Sequence, residues 1–288
     1  MKIRSLSLML VTLATCSLHS EEIRISASDL LAEFIKAPLA AYGDENNITF
    51  DVESIGSLPA LDNLRSDDID LAILAVPEVD SRLRQDFTLY PFAYDVAVVV
   101  VNSSNPIDEI TVGRLAGIYG ANEEFNFNTW GDLGLSGWGS RNIKAVAAPA
   151  KGSISLELFK HAVFKGTAMK QNVTMIKDTE VEEQIITNPA SIAITSGLPK
   201  SNEVKAIMIS EQNGSPAFGP SEDNVHYGDY PIRLAFYVVF NKRDEAKLKP
   251  ILRVLLGDDV ATSLRENNLF ALPDTIRRKL IIDLDLEN

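Results

Sequence analysis

Short β-like runs and helix-like runs alternate along almost the whole chain, and this order constrains the fold more than any other feature. Two of the β-like runs are strongly apolar: Tyr94 to Val101 contains five valines, and Ile232 to Phe240 consists mainly of aliphatic and aromatic residues. Such runs are typical of strands covered on both faces. We therefore predict an α/β fold in two lobes, 21–101 with 231–288 and 102–230, with a hinge where these two strands cross.

Composition and charge exclude some functional classes. Hydrophobic residues make up 45% of the 288 residues and charged residues 23%, which is the balance of a water-soluble globular protein. The net charge of −13 argues against nucleic acid as a partner, because nucleic-acid-binding proteins present basic patches. The densest basic cluster, Arg277-Arg278-Lys279, is interpreted as the solvated end of a helix.

The N-terminus has the pattern of a secretory signal peptide. Lys2 and Arg4 precede an apolar run from Leu6 to Leu18, and a polar segment follows, which predicts cleavage near Ser20. The mature protein is therefore expected in the periplasm or secreted. A partial lipoprotein box ends at Cys16, so lipidation of that residue stays open as an alternative.

Three loops rich in serine and glycine each stand between a β-like run and a helix-like run. The first N–H groups of a helix lack partners within the helix and carry partial positive charge, so such loops can hold an anion without a metal. Serine and aspartate are also the commonest helix N-caps, and capping is the alternative for any single loop. Three such loops together predict one anion site, with these candidate residues: Ser28, Asp29, Ser57, Lys151, Gly152, Ser153 and Ser155.

The sequence shows no constellation that would carry catalysis or hold a metal. His161 and His226 are the histidines that follow the signal peptide, and neither has a second histidine at ligand spacing. The chain has no P-loop and no dinucleotide-binding glycine motif. We therefore expect a protein that is not an enzyme and that uses no cofactor and no metal.

Several segments occur in an order that is typical of one family. They are Ile25 to Leu31, Ser54 to Ser57, Asp70 to Ile73, Pro91 to Asn102 with Asn105-Pro106, Leu115 to Gly120, Asn128 to Gly134, and Tyr230 to Arg233. In this order they resemble the phosphate-type substrate-binding proteins of ABC transporters, which have the two-lobed type II periplasmic binding protein fold with mixed sheets. The resemblance covers about residues 22 to 272 and implies inorganic phosphate or a similar oxyanion as ligand, an ABC transporter permease as partner, and a monomer.

The chain departs from this family at the third loop and near it. Ile154 lies between Ser153 and Ser155 where the family has glycine, and no arginine stands just upstream, so Lys151 is the nearest candidate cation. Ala75 lies where an aspartate or serine usually accepts the proton of bound phosphate. These departures keep a second hypothesis open: the fold is retained, but the protein is a sensor, an adhesion or matrix protein, or a receptor for another ligand.

Overall fold

A computed structural model describes residues 21–76, 79, 81–121, 124–164 and 168–286. The predicted signal peptide and Cys16 lie outside these residues. The strands are β1 Glu21–Ala27, β2 Ile48–Ser54, β3 Leu71–Val76, β4 Phe87–Val96, β5 Val98–Asn102, β6 Glu109–Thr111, β7 Lys144–Ala147, β8 Thr174–Met175, β9 Ser191–Thr195, β10 Val204–Ala206, β11 Met208–Ser210, β12 Arg233–Asn241 and β13 Phe270–Ala271. The helices are α1 Ala32–Asn46, α2 Ser57–Arg65, α3 Ser81–Asp86, α4 Val112–Tyr119, α5 Ser155–Phe164, α6 Val181–Thr187, α7 Glu222–Tyr227, α8 Glu245–Leu255, α9 Asp258–Glu266 and α10 Asp274–Leu286.

The strands form two mixed sheets and a short two-stranded one. The first sheet has the order β13-β4-β12-β3-β1-β2, with β1 parallel to β2 and β3, and β12 antiparallel to β3 and β4. The second has the order β10-β5-β9-β7-β8, and β11 pairs with β6 in the third. The predicted α/β fold with mixed sheets is confirmed. Because β1, β3 and β4 run in the same direction, their carboxyl ends meet at one edge of the first sheet.

The chain passes from the first sheet to the second at a single residue, Ala97. The predicted strand from Tyr94 to Val101 is wrong as one element, because β4 pairs with β12 and β5 pairs with β9. The chain returns to the first sheet at residues 230–232, the return crossing, which lies beside Ala97. Ala97 N–H donates to Ile232 O at 3.1 Å, and the buried Tyr230 hydroxyl donates to Ala97 O at 2.8 Å. The lobe limits at residues 101 and 231 stay predictions, and β5 lies in the second sheet.

Helix α1 shows how a local contact can override a sequence signal. The sequence predicts that Gly43 ends this helix, and that prediction is wrong. Helix α1 continues to Asn46, and Asn47 adopts the left-handed conformation at its C-cap, with φ of 57°. Gly43 lies against Ile48 O and the ring of Phe50, where a Cβ atom has no room. The glycine is therefore required by close packing of α1 on β2.

Arg277 is not at the solvated end of a helix, as its basic neighbours suggest. It lies inside α10 with only 4% of its surface exposed, and its guanidinium donates to Leu256 O, Asp258 and Asp274 at 2.7 to 2.8 Å. A buried guanidinium requires such partners. The residue ties the C-terminal helix to the start of α9, so its role is structural.

The segment from Pro216 to Tyr230 reads as a long polar loop, and the structure corrects this as well. It contains α7, whose N-cap Ser221 accepts a hydrogen bond from Asn224 N–H at 3.2 Å. Gly228 ends the helix in the left-handed conformation, with φ of 86°. This short helix packs on β4 beside the return crossing.

Candidate functional site

The first two predicted loops lie next to each other at the carboxyl edge of the first sheet. Ser28 follows β1, and its N–H donates to Ile73 O of the neighbouring strand at 2.9 Å. Ser57 begins α2, and its hydroxyl accepts a hydrogen bond from Ala75 N–H at 2.8 Å. Both serines are thus bonded to β3, at Ile73 and Ala75, so the first two predicted loops lie next to each other. The role of their residues as ligand residues stays a prediction.

The two serines differ in how much of their hydrogen-bonding capacity is used. The Ser57 hydroxyl accepts from Ala75, and its own proton is left to donate. Ser28 is 3% exposed, and among the described residues its hydroxyl makes only long contacts, 3.4 Å from Leu30 N and 3.5 Å from the exposed carboxylate of Asp29. Of the two serines, Ser57 therefore has the hydroxyl proton that no described residue accepts, and Asp29 adds negative charge at the same edge.

The third loop turns sharply before α5 and reaches back to the first sheet. Gly152 has a φ of 77°, a conformation that favours glycine, and it lies between the exposed Lys151 and the partly buried Ser153. The Ser153 hydroxyl donates to the carboxylate of Asp95 at 2.9 and 3.1 Å, and Ile154 N–H donates to the same carboxylate at 2.7 Å. Asp95 therefore holds the loop from the end of β4.

Asp95 was not among the predicted site residues, although one signal pointed to it. It is a carboxylate within the most apolar run of the chain, and buried carboxylates need specific partners. The structure buries it completely and gives it a third donor, Val96 N–H at 2.9 Å. Burial raises the pKa of Asp95, while its hydrogen bonds with Ile154, Ser153 and Val96 act in the opposite direction.

The third loop lies at the same edge as the first two. Strand β12 lies between β4 and β3, and its neighbouring residues Leu234 and Ala235 pair with Asp95 of β4 and Val76 of β3, respectively. Two strand spacings, about 10 Å, therefore separate the end of β4, where Asp95 meets the third loop, from the end of β3. All three predicted loops thus meet at one edge of the first sheet.

Ser155 carries the most informative polar atom of the third loop. Its hydroxyl oxygen is buried and has no hydrogen-bond partner among the described residues, although its N–H donates to Ser153 Oγ at 3.0 Å. A buried hydroxyl without a partner is destabilising and is uncommon in native proteins. No partner of Lys151 is found within the described ranges either, and this side chain is exposed.

A second polar cluster lies on the opposite face of β4, because neighbouring residues of a strand point to opposite sides. The Tyr94 hydroxyl lies 2.8 Å from His226 Nδ1, and the Arg233 guanidinium lies 5.4 Å from the centre of the Tyr94 ring. Burial, and then the charge of Arg233, lower the pKa of His226, with Asp223 opposing, whereas burial raises the pKa of Tyr94 to about 12. This face does not supply a cation to the third loop.

A cavity of about 760 Å³ lies near the return crossing and contains none of the predicted ligand residues. Thr111, His161, Glu211 and Pro231 are among its lining residues. No group of three or more metal-ligating side chains occurs within the described part of the chain. Over the same residues, none of the helices has the length and apolar character needed to cross a membrane.

Two mixed sheets joined at adjacent crossings, with serine loops at the carboxyl edge of the first, define the class of type II periplasmic binding proteins. The chain belongs to the PBP superfamily, whose domain model matches residues 15–255. The predicted resemblance to phosphate-type substrate-binding proteins is confirmed by the relatives that follow.

One relative is the phosphate-binding protein PstS of Pseudomonas aeruginosa, which is 24% identical over 209 residues. The match covers 69% of this chain and 64% of the relative, so the chain matches less than two-thirds of the length of that relative. A second relative, protein SphX of Synechococcus elongatus, is 28% identical over 144 residues, which cover 49% of this chain and 42% of SphX.

Solved structures agree on the fold. A possible phosphate-binding protein from Planctomyces limnophilus superposes with a TM-score of 0.68 at 17% identity, covering 92% of this chain and 98% of that one. PstS from Borrelia burgdorferi superposes with a TM-score of 0.70 at 17% identity, covering 88% and 99%. At this level of identity the likeness establishes the fold alone.

Proposed function

We propose that this protein is an extracytoplasmic solute-binding protein that holds inorganic phosphate or a similar oxyanion for an ABC transporter. The observation that carries the proposal is the meeting of three serine loops at one sheet edge, where the Ser57 proton and the Ser155 hydroxyl have no partner among the described residues. Ligands of open α/β folds bind at the carboxyl ends of strands, beside helix N-termini. The names of the relatives support phosphate as the ligand.

The ligand would be held mainly by hydroxyl groups and helix ends. The N-termini of α2 and α5 both begin at a candidate serine, Ser57 and Ser155, and each contributes partial positive charge. Lys151 is the cation nearest to these groups in the sequence and is exposed. A site of this kind stabilises an anion by directed hydrogen bonds, which are stronger when one partner is charged.

A binding role also fits the chemistry of the site better than catalysis does. The loops offer hydroxyls that no base activates: Ser57 bonds to a backbone N–H, and Ser153 donates to a buried carboxylate that already accepts two further backbone hydrogen bonds. We therefore propose a receptor and not an enzyme, monomeric and delivering its ligand to a membrane permease.

Calorimetry of the chain from residue 21 onward tests the proposal. Phosphate and arsenate are expected to give heat of binding and to raise the melting temperature, with sulfate and molybdate as comparisons. Ser57→Ala should weaken phosphate binding about tenfold, the value of one hydrogen bond to a charged group. Ser221→Ala is the matched control, since it removes a serine from the start of another helix. Absence of heat and of a thermal shift with every anion at millimolar concentration would refute the proposal.

The second candidate function is a binding-protein fold that serves as a sensor, an adhesion or matrix protein, or a receptor for another ligand. The observation that favours it is the negative charge of Asp95 at the third loop. The position of Ala148 is fully packed, whereas Ala150 is partly exposed and can carry a longer side chain. If the site lacks only a cation, Ala150→Arg creates or strengthens phosphate binding. No gain would support a different ligand.

A further inference from the structure

The third loop already holds a carboxyl group that belongs to the protein. Asp95 accepts hydrogen bonds from the Ser153 hydroxyl and from Ile154 N–H, the two groups that stand at the start of α5. These are the donors that a ligand would use at this helix end. The strand that carries Asp95 lies in the first sheet, and the loop follows β7 of the second sheet.

The contacts of Asp95 are those of a charged carboxylate. Both of its oxygens accept a backbone N–H, one from Val96 at 2.9 Å and the other from Ile154 at 2.7 Å. An ionised carboxylate only accepts hydrogen bonds, and donors on both oxygens satisfy that form. Its negative charge opposes the partial positive charge at the N-terminus of α5.

Solvent does little to screen this charge, because Asp95 is completely buried. No salt bridge to it occurs among the described residues, and the nearby Arg233 lies on the other face of the strand. An oxyanion that enters between the loops would therefore meet an uncompensated negative charge at the third loop. Two like charges in a buried site repel each other more strongly than in water.

We propose that Asp95 is a specificity-determining residue that acts as a tethered anion, competing with the ligand for the donors of the third loop. The inference rests on the proposed function and refines it. Ser57 and Ser28 remain the donors on one side of the ligand, with the Ser155 hydroxyl on the other, while Asp95 lowers the affinity for every added negative charge. Ligand anions that carry two charges are disfavoured relative to those that carry one.

Neutral replacements of Asp95 test this inference. Asp95→Asn removes the charge and keeps one acceptor oxygen. Asp95→Thr is a second neutral variant that suits a strand, with a hydroxyl that can accept from Ile154 N–H, in case the first does not fold. Asp70→Asn is the matched control, because it removes the same charge at the opposite end of β3, where Asp70 contacts Arg24 and Lys247. Calorimetry with phosphate and with sulfate at one pH measures the affinities, and circular dichroism confirms folding.

We expect either neutral variant to bind both anions at least tenfold more tightly than the wild type, with the larger gain for sulfate, which carries two charges, and Asp70→Asn to leave both affinities within about twofold. If the wild type binds phosphate and the neutral variants bind no better, the inference is wrong and the proposed function stands. If only the neutral variants bind, the inference holds and the proposed function of the native chain fails. If none of these proteins binds an anion, both fail.

Discussion

Replacing Ser155 with alanine should stabilise the ligand-free protein and weaken its ligand binding at the same time. The Ser155 hydroxyl is buried at the first position of α5 without a partner among the described residues. An unsatisfied buried polar group costs about 1–3 kcal/mol, and alanine is a better helix former. Because the lost oxygen also gives up packing contacts, we expect the free energy of unfolding to rise by about 1 kcal/mol, or roughly 2–4 °C in melting temperature.

The same substitution should reduce the stabilisation that phosphate gives. At a ligand concentration about 100 times Kd, binding adds about 2.7 kcal/mol to the free energy of unfolding of the wild type. Loss of one hydrogen bond to a charged ligand weakens binding about tenfold, so the variant gains only about 1.4 kcal/mol at that concentration. Urea titrations with and without phosphate measure both changes.

Ser26→Ala provides the matched control for Ser155→Ala. The Ser26 hydroxyl is also buried and without a partner among the described residues, but it lies inside β1 and outside the candidate site. We expect this variant to be stabilised in the absence of ligand and to respond to phosphate as the wild type does. The reasoning is refuted if Ser155→Ala is less stable than the wild type without ligand, or if both variants respond equally to phosphate.

Three further substitutions test contacts that support the site. Tyr230→Phe removes the hydroxyl that donates to Ala97 O and should lower the free energy of unfolding by about 1–2 kcal/mol in urea titrations. Asp274→Asn should reduce the loss of stability in acid. Hydrogen bonds from Arg277 and then from Arg265 lower the pKa of Asp274 from 3.8 to about 2, so its stabilising contribution is present above pH 3.8 and disappears as the pH falls toward 2. Melting temperatures across that window measure the change. Gly43→Ala should cost about 2 kcal/mol or more in the same titrations, since the new Cβ meets a backbone oxygen of β2.

The features that follow from local pattern could be predicted from the sequence. The run from Ile48 to Ile55 alternates apolar and polar residues and forms β2, whose side chains alternate between partly buried and exposed. The run from Val112 to Tyr119 forms the short helix α4. The three serine loops could be located because each follows a strand and precedes a helix. Chain direction brings the first two to one edge of the first sheet, whereas the third follows β7 of the second sheet and reaches that edge through Asp95. Motif order was sufficient for the family.

The features that depend on partners distant in sequence could not be predicted. Asp95 and Ser153 are 58 residues apart, and nothing in either segment shows that they bond. Likewise, the run from Tyr94 to Val101 is apolar apart from Asp95 whether it forms one strand or two in different sheets, so its hydropathy does not reveal the crossing at Ala97. Arg277 was misinterpreted for the same reason, since its burial depends on Leu256 and Asp258. Gly43 was misinterpreted because of a nearer contact, with Ile48 and Phe50 of β2.

The direct passage from β4 to β5 restricts where the length of this chain can change. Because a single residue separates the two strands, an insertion or deletion beside Ala97 would turn every side chain of Val98–Asn102 to the opposite face of the second sheet. The five buried residues of that strand would then need a new core on each side. Segments such as 131–141 form turns, so an added or removed residue there does not reverse an alternation of side chains between two faces of a sheet. Engineered reporters or affinity tags therefore belong in those turns, whereas the crossing has to keep its exact residue count.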